Sequence, residues 1–237
     1  MEKGICNVSV APLRAEPAHQ SEMVSQILYG ESVDVLEING SFSKIRMHFD
    51  QYEGWVDTKQ ISEINATDLA IRNTIIITET FRFYDLEVGK TLLSVGSEIF
   101  SDDENVIVPA SRERISETVY MFLNVPYLWS GRSFFGIDCS GLTQLVYKIN
   151  GISLPRDAHQ QAENGRVLDF IEESQPGDLA FFENTDGKIS HVGIMLEDQK
   201  IIHAFGKVRI DTLDSSGIFN QELNKHTHKL RFVKSVL

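Results

Sequence analysis

Over its first quarter the chain alternates apolar and polar positions. Val8 and Val10, Val33 and Val35, and Ile45 and Met47 fall at period two among polar residues, the mark of half-buried strands. Asn39-Gly40 divides two of these runs and predicts a tight hairpin whose two central residues both take positive φ. Gly54-Trp55-Val56 closes the stretch. Short strands at such close spacing predict a small barrel over residues 1–62. Between 63 and 110, Ile75-Ile76-Ile77, Arg82-Phe83-Tyr84 and Val106-Ile107-Val108 read as strands, with turns at Gly89, Gly96 and Asp102-Asp103. That segment is either a second, degenerate β module or a long extension of the first.

From about residue 112 the period changes. Ile115, Val119 and Phe122 recur at helical spacing, and Pro126 ends the helix. The glycine-bearing loop Ser130-Gly131-Arg132-Ser133-Phe134-Phe135-Gly136 leads to Asp138-Cys139-Ser140-Gly141. Leu142, Leu145, Val146 and Ile149 then mark one face of a second helix, stopped by Gly151. Apolar runs at 179–182, 191–196, 200–205 and 230–233 read as strands. Helices followed by strands predict an α+β domain over 111–237.

Composition narrows the function classes. The 237 residues carry 22 Lys plus Arg against 34 Asp plus Glu, a net charge of −12. Such a chain lacks the basic footprint that nucleic acids and anionic membranes require. No run of apolar residues is long enough to span a bilayer. Two cysteines make no disulfide framework, and Met1-Glu2-Lys3-Gly4-Ile5-Cys6-Asn7 holds no apolar leader. The expectation is a reduced, cytoplasmic protein. Cys6 reads as a small apolar residue of the first strand.

The second cysteine stands differently. Cys139 opens a helix behind the prospective N-cap Asp138, where the helix dipole predicts a thiol that ionises more easily. His191 and His203 are twelve residues apart on two prospective strands, with Glu197-Asp198-Gln199 between. A two-residue loop would put the two imidazoles on opposite faces. A three-residue loop pairs Gly193 with His203 and makes the imidazoles diagonal neighbours on one face. Gly193 then leaves His203 room to lean toward His191. In that geometry His191 takes the Cys139 proton and holds a thiolate–imidazolium pair, while His203 fixes its tautomer. The Cys139 backbone N–H would stabilise an oxyanion. The competing readings are a buried structural thiol with two satisfied strand histidines, and a zinc site at Cys139, His191 and His203. Those spacings match no short zinc signature, and His226-Thr227-His228 is polar and near the chain end. No metal or other cofactor is expected.

Gly30-Glu31-Ser32-Val33 and Gly54-Trp55-Val56 resemble bacterial SH3-like (SH3b) modules. The second half is similar to the NlpC/P60 family of papain-like cysteine peptidases. It carries Pro126-Tyr127-Leu128-Trp129, Asp138-Cys139-Ser140-Gly141-Leu142 and Leu154-Pro155-Arg156. Gln175-Pro176-Gly177-Asp178-Leu179, His191-Val192-Gly193-Ile194 and Ile202-His203-Ala204 follow in the family's order. Ser130 departs from the glycine usual after the tryptophan. The resemblance implies helices packed on an antiparallel sheet and hydrolysis of bacterial cell-wall peptides. Cys139, His191 and His203 match the family's nucleophile, base and orienting residue, and Tyr127 matches a tyrosine near the nucleophile.

The domain order resembles the cytosolic γ-D-glutamyl-L-diamino-acid dipeptidyl-peptidases of murein recycling. That group cuts after γ-D-Glu in tri- or tetrapeptides with a free N-terminal L-Ala and releases L-Ala-γ-D-Glu. A buried substrate ammonium needs a carboxylate, for which Asp138 and Glu31 are the candidates. Ser140 and Tyr52 are further candidate pocket residues, and Arg132 and Arg156 candidate partners for the D-Glu carboxylate. An exported wall endopeptidase, a catalytically silent wall-binding module and an acyltransferase of the same fold are the alternatives. Lysine or diaminopimelate at substrate position three, and the oligomeric state, stay open.

Overall fold

The computed structural model describes residues 2–101 and 109–237. The strand expected at 106–108 and the turn at Asp102-Asp103 lie outside the described residues. The chain divides into two compact units, Met1–Ile107 with Trp129–Phe135, and Val108–Leu128 with Gly136–Leu237.

The first unit is built on β1 (Glu2–Cys6), β2 (Val10–Arg14), β3 (Met23–Leu28), β4 (Ser32–Asn39), β5 (Phe42–Met47), β6 (Glu53–Asp57) and β7 (Ile61–Ile64). They form one antiparallel sheet in the order β3-β2-β6-β5-β4-β1-β7. Alternation does what the sequence pattern implied. Cys6, Val33, Ile45, Met47 and Val56 turn to one side and pack into a common core with Ala11, Leu13 and Ile27. The β4–β5 turn is one residue later than expected. Asn39 pairs with Phe42, so Gly40 and Ser41 are its central residues, and only Gly40 has positive φ.

Residues beyond β7 form α1 (Ala66–Ile71) and two small hairpin-like pairs, β8 (Thr74–Ile76) with β11 (Glu98–Phe100) and β9 (Phe81–Asp85) with β10 (Lys90–Ser94). Their core of Ile77, Leu93 and Ile99 is shared with Tyr29 from the turn after β3. Gly30 sits at φ +81°, and a Cβ there would lie 1.8 Å from the Glu98 carbonyl oxygen. Only glycine permits that approach.

The loop strand β12 (Arg132–Ser133) is part of this unit. The Arg132 guanidinium donates to both oxygens of the Glu31 carboxylate at 2.8 and 2.7 Å. Both side chains are excluded from solvent. Glu31 also accepts from the Leu28 N–H at 2.8 Å, so the buried charge is forked and hydrogen-bonded rather than bare.

The second unit places three helices, α2 (Arg112–Tyr120), α3 (Cys139–Ile149) and α4 (Ala158–Gln161), beside a second antiparallel sheet. Outside that sheet stands β13 (Gly136–Ile137), a short entry strand; the sheet's own strands are β14 (Arg166–Val167), β15 (Leu179–Glu183), β16 (Ile189–Met195), β17 (Lys200–Phe205), β18 (Lys207–Asp214), β19 (Gly217–Asn220) and β20 (Lys225–Ser235). The sheet runs β14-β20-β15-β16-β17-β18-β19, and β19 pairs again with β20. The expected sheet is therefore rolled shut. β20 has 11 residues against the four read from the sequence, because it serves β19 with one half and β15 with the other. Ala180, Phe182, Met195, Ile201, Leu213, Ile218 and Val233 fill one face of the closed sheet. The whole is α+β.

Glu31→Ala removes the carboxylate from a buried Arg132 guanidinium. We expect a loss of about 3–5 kcal/mol, and a much smaller loss when Arg132→Met is added. Chemical denaturation of the single and double variants measures both.

Candidate active site

Asp138 caps α3, accepting the Gly141 N–H at 2.6 Å on Oδ1. The cap places Cys139 at the first helical position. The thiol lies against the Val192 backbone, and burial pushes it up to about 12, with the Asp138 carboxylate adding to the shift. Backbone hydrogen bonds at Val192 and Ser140, and the Arg156 charge, pull the other way without prevailing. The easier ionisation expected at a helix mouth is therefore not the resting state: desolvation outweighs the helix terminus.

Asp138 does more than cap. Its Oδ1 also accepts from Ser140 Oγ at 3.3 Å and Arg156 Nη1 at 3.1 Å, and Oδ2 accepts from Arg156 Nη2 at 2.7 Å. Ser140 Oγ receives Arg156 Nη1 as well, at 2.9 Å. Oδ1 is thus crowded, while Oδ2 keeps one acceptor direction among the described residues. Arg156 is buried in this pairing and does not offer a bare guanidinium to a carboxylate. Arg132, forked on Glu31, does not either.

The histidine hairpin has the three-residue loop. Ile194 faces Ile202 and Met195 faces Ile201, and Leu196 N–H donates to Lys200 C=O at 2.8 Å across Glu197-Asp198-Gln199. Continuing that register sets Gly193 opposite His203. A Cβ on Gly193 would come within 2.9 Å of the His203 Cβ and 2.7 Å of Ile201 Cδ1. His191 Nε2 and His203 Nδ1 meet at 2.9 Å with their rings perpendicular.

The sequence reading missed what stands behind His203. Asp211, on β18, meets His203 Nε2 at 3.1 Å and is itself held by Arg209 Nε at 2.8 Å, Arg209 Nη2 at 3.1 Å and Asn220 Nδ2 at 3.2 Å. Burial favours the neutral acid, but the bonds from His203 and Arg209 outweigh it and hold Asp211 below the ordinary carboxylate value. Burial likewise lowers His203, against the pull of Asp211. It carries His191 well below 6.5, with His203 and His228 adding like-charge repulsion. Two neutral rings and one ionised acid leave one tautomer pattern. Asp211 can only accept, so His203 donates from Nε2 and accepts at Nδ1. His191 then donates from Nε2, and its Nδ1 is left with a lone pair.

His228, polar and near the chain end in sequence, lies on β20 and joins the site. Its ring stacks on His191 with centroids 4.1 Å apart, and burial beside His203 brings it down to about 4. His191 and His228 line a pocket of about 380 Å³ with Tyr127, Ser190, Ala204, Phe205 and Gly206. Burial and the neighbouring Cys139 raise the Tyr127 phenol to about 12, so it is a hydrogen-bond donor. In the first unit, Tyr52 is half-buried against the β1–β7 core.

Two relatives and one solved structure bear on these residues. The pattern of the NlpC/P60 family matches 124–228, and that of the bacterial dipeptidyl-peptidase SH3 domain matches 13–61. The chain is 30% identical over 236 residues to a gamma-D-glutamyl-L-lysine dipeptidyl-peptidase of Bacillus subtilis (strain 168), covering 84% of this chain and 78% of that one. It is 29% identical over 226 residues to the Bacillus cereus (strain ATCC 10987) protein of the same name, covering 78% and 68%. An NlpC/P60 family protein from Bacillus cereus ATCC 10987 shares the fold, with a TM-score of 0.85, 22% identity and 99% of each chain covered.

Gly193→Ala should displace His203, costing about 1–3 kcal/mol in stability and lengthening the imidazole–imidazole contact. Thermal melts and a crystal structure of the variant check both. The lowered imidazoles also set a pH dependence. The unfolded chain takes up their protons near pH 6.5 and the folded chain only at lower pH, so stability falls as pH drops below 6.5. Each imidazole contributes up to about 1.4 kcal/mol per pH unit. His228→Gln should flatten the decline in melting temperature between about pH 6.5 and 4.5, measured by calorimetry.

Proposed function

The chain belongs to the NlpC/P60 family of cysteine peptidases, and from that premise we propose that it hydrolyses the γ-D-glutamyl–L-diamino-acid bond of cell-wall peptides with a free N-terminal L-Ala. The observation that carries this reading is the bonded line Asp211–His203–His191, whose open end is the unprotonated His191 Nδ1. Relatives named gamma-D-glutamyl-L-lysine dipeptidyl-peptidases support the substrate class.

In this mechanism Cys139 is the nucleophile. Burial raises the thiol and lowers His191, and both shifts disfavour a resting ion pair. Proton transfer to His191 Nδ1 accompanies attack of sulfur on the γ-carbonyl carbon, and the tetrahedral intermediate leans on the Cys139 N–H. The imidazolium then protonates the departing amine of the diamino acid, and water repeats the sequence to free Cys139. Asp211 stabilises the positive relay without taking its proton. Tyr127, on the pocket wall, donates to substrate. Asp138 Oδ2 receives the substrate ammonium, its Arg156 partner already balancing part of its charge. Glu31, Ser140 and Tyr52 are assigned to substrate recognition by family position alone. The product L-Ala-γ-D-Glu fits a role in recycling murein-derived tri- and tetrapeptides in the cytoplasm.

Cys139→Ala should abolish turnover of L-Ala-γ-D-Glu-L-Lys or its diaminopimelate counterpart while the melt is preserved. Mass spectrometry should show the free peptide cut and its N-acetyl form spared. Equal cleavage of both, or release from intact sacculi, would replace this reading with an exported wall endopeptidase. Asp211→Asn should lower kcat by about 100-fold or more with KM little changed. Nitrogen-15 shifts should report His203 losing its fixed tautomer, a change that mere loosening of β18 would not produce.

A further inference from the structure

Three imidazoles meet in the second unit, where the proposed mechanism employs two. His191, His203 and His228 each present a ring nitrogen, and these atoms lie within 4.8 Å of one another. From this we infer that the trio is a binding site for a divalent transition metal, zinc foremost, distinct from any thiolate site.

The donor set is right for zinc, which takes imidazole nitrogens at about 2.0–2.1 Å and leaves a fourth position open in a three-ligand site. Each ring has a nitrogen to spare. His203 Nε2 is anchored on Asp211 at 3.1 Å, leaving Nδ1 for the cluster. His228 Nδ1 is engaged by the Thr227 hydroxyl at 2.9 Å, leaving Nε2. Hydrogen bonds of this kind on the outer nitrogen orient metal-bound histidines. His191 contributes Nε2, the atom now bonded to His203. The pocket that His191 and His228 line gives an entry path and room for a water at the fourth position. Cys139 stands outside the cluster among the described residues, so the sulfur–histidine zinc site weighed from the sequence gives way to an all-nitrogen one.

Loading requires movement. Tetrahedral nitrogens on one zinc are about 3.4 Å apart, so His191 and His203 must part from 2.9 Å. The His228 ring must leave its stack on His191 and turn its edge inward. It is the one of the three that is only partly buried.

Binding has a consequence for the relay. A metal on His191 Nε2 drives the ring's proton to Nδ1, with no net proton released. The nitrogen that accepts from the thiol in the proposed mechanism then carries a hydrogen. Zinc is therefore a reversible inhibitor that leaves Cys139 untouched. The site stands without the peptidase reading; the inhibition rests on it.

Titration calorimetry of the metal-free full chain with zinc chloride tests the site. One equivalent should bind, Cys139→Ala should bind as tightly, and His228→Ala should weaken binding about 10-fold or more. Cobalt(II) added to the unaltered chain should give the visible bands of a four-coordinate nitrogen site with no sulfur charge-transfer band. That measurement stands if the His228 variant fails to fold. Zinc binding lost in Cys139→Ala, unchanged in His228→Ala, or absent from the unaltered chain overturns the proposal, as does a sulfur-to-cobalt band. If zinc binds as described and wall peptides are not cleaved, the peptidase reading fails and the metal site survives.

Discussion

A single cross-strand register governs the second unit's chemistry. With three residues in the β16–β17 turn, Gly193 faces His203 and the two imidazoles touch. One residue more or less would send one ring to the opposite face of the sheet. Gly193 is where this constraint becomes steric, since any side chain there would occupy the space of His203 and Ile201. The pairing of β17 with β18 then brings His203 to Asp211 on the next strand, so two successive alignments fix the order of three polar groups.

How much of this can be read from residues alone depends on distance along the chain. The helix mouth at Cys139, the Asp138 cap and the histidine hairpin are local, and parity narrowed the loop to two lengths, of which the structure has the three-residue one. Asp211 and His228 escaped the sequence reading for different reasons. Asp211 lies on β18, which returns along β17 from a tight turn at Gly206, a strand the apolar pattern did not mark. His228 reaches the site through β20, whose place is set by closure of the sheet and has no short-range signal. Thr227-His228 looks like a polar chain end until β20 is seen to pair on two sides. The thiol shows the reverse error. Helix-terminus reasoning gave the sign of a local effect correctly, while burial, a property of the whole fold, was larger. At Asn39-Gly40 the turn was found but its centre was displaced by one residue, because Asn39 remains in strand pairing.

Charge is organised differently inside and outside. The chain is strongly acidic overall, yet its interior carboxylates are matched by guanidinium groups: Glu31 by Arg132, Asp138 by Arg156, Asp178 by Arg112 and Asp211 by Arg209. Arginine suits these positions because its planar fork meets both oxygens of a carboxylate without giving up its proton. Two of the four pairs flank the reactive hairpin or cap the helix that carries the thiol. They set local orientation rather than adding much stability.

Trp129–Phe135 belongs to the first unit, although the chain on either side of it belongs to the second. Arg132, in that excursion, has its carboxylate partner a hundred residues upstream. The two units are therefore interleaved along the sequence. A recombination event between residues 101 and 112 would transfer the later half together with an orphaned cation, so exchange of one unit for an unrelated module must be accompanied by rewriting of that loop. Lineages that keep this architecture are held to inherit both halves together.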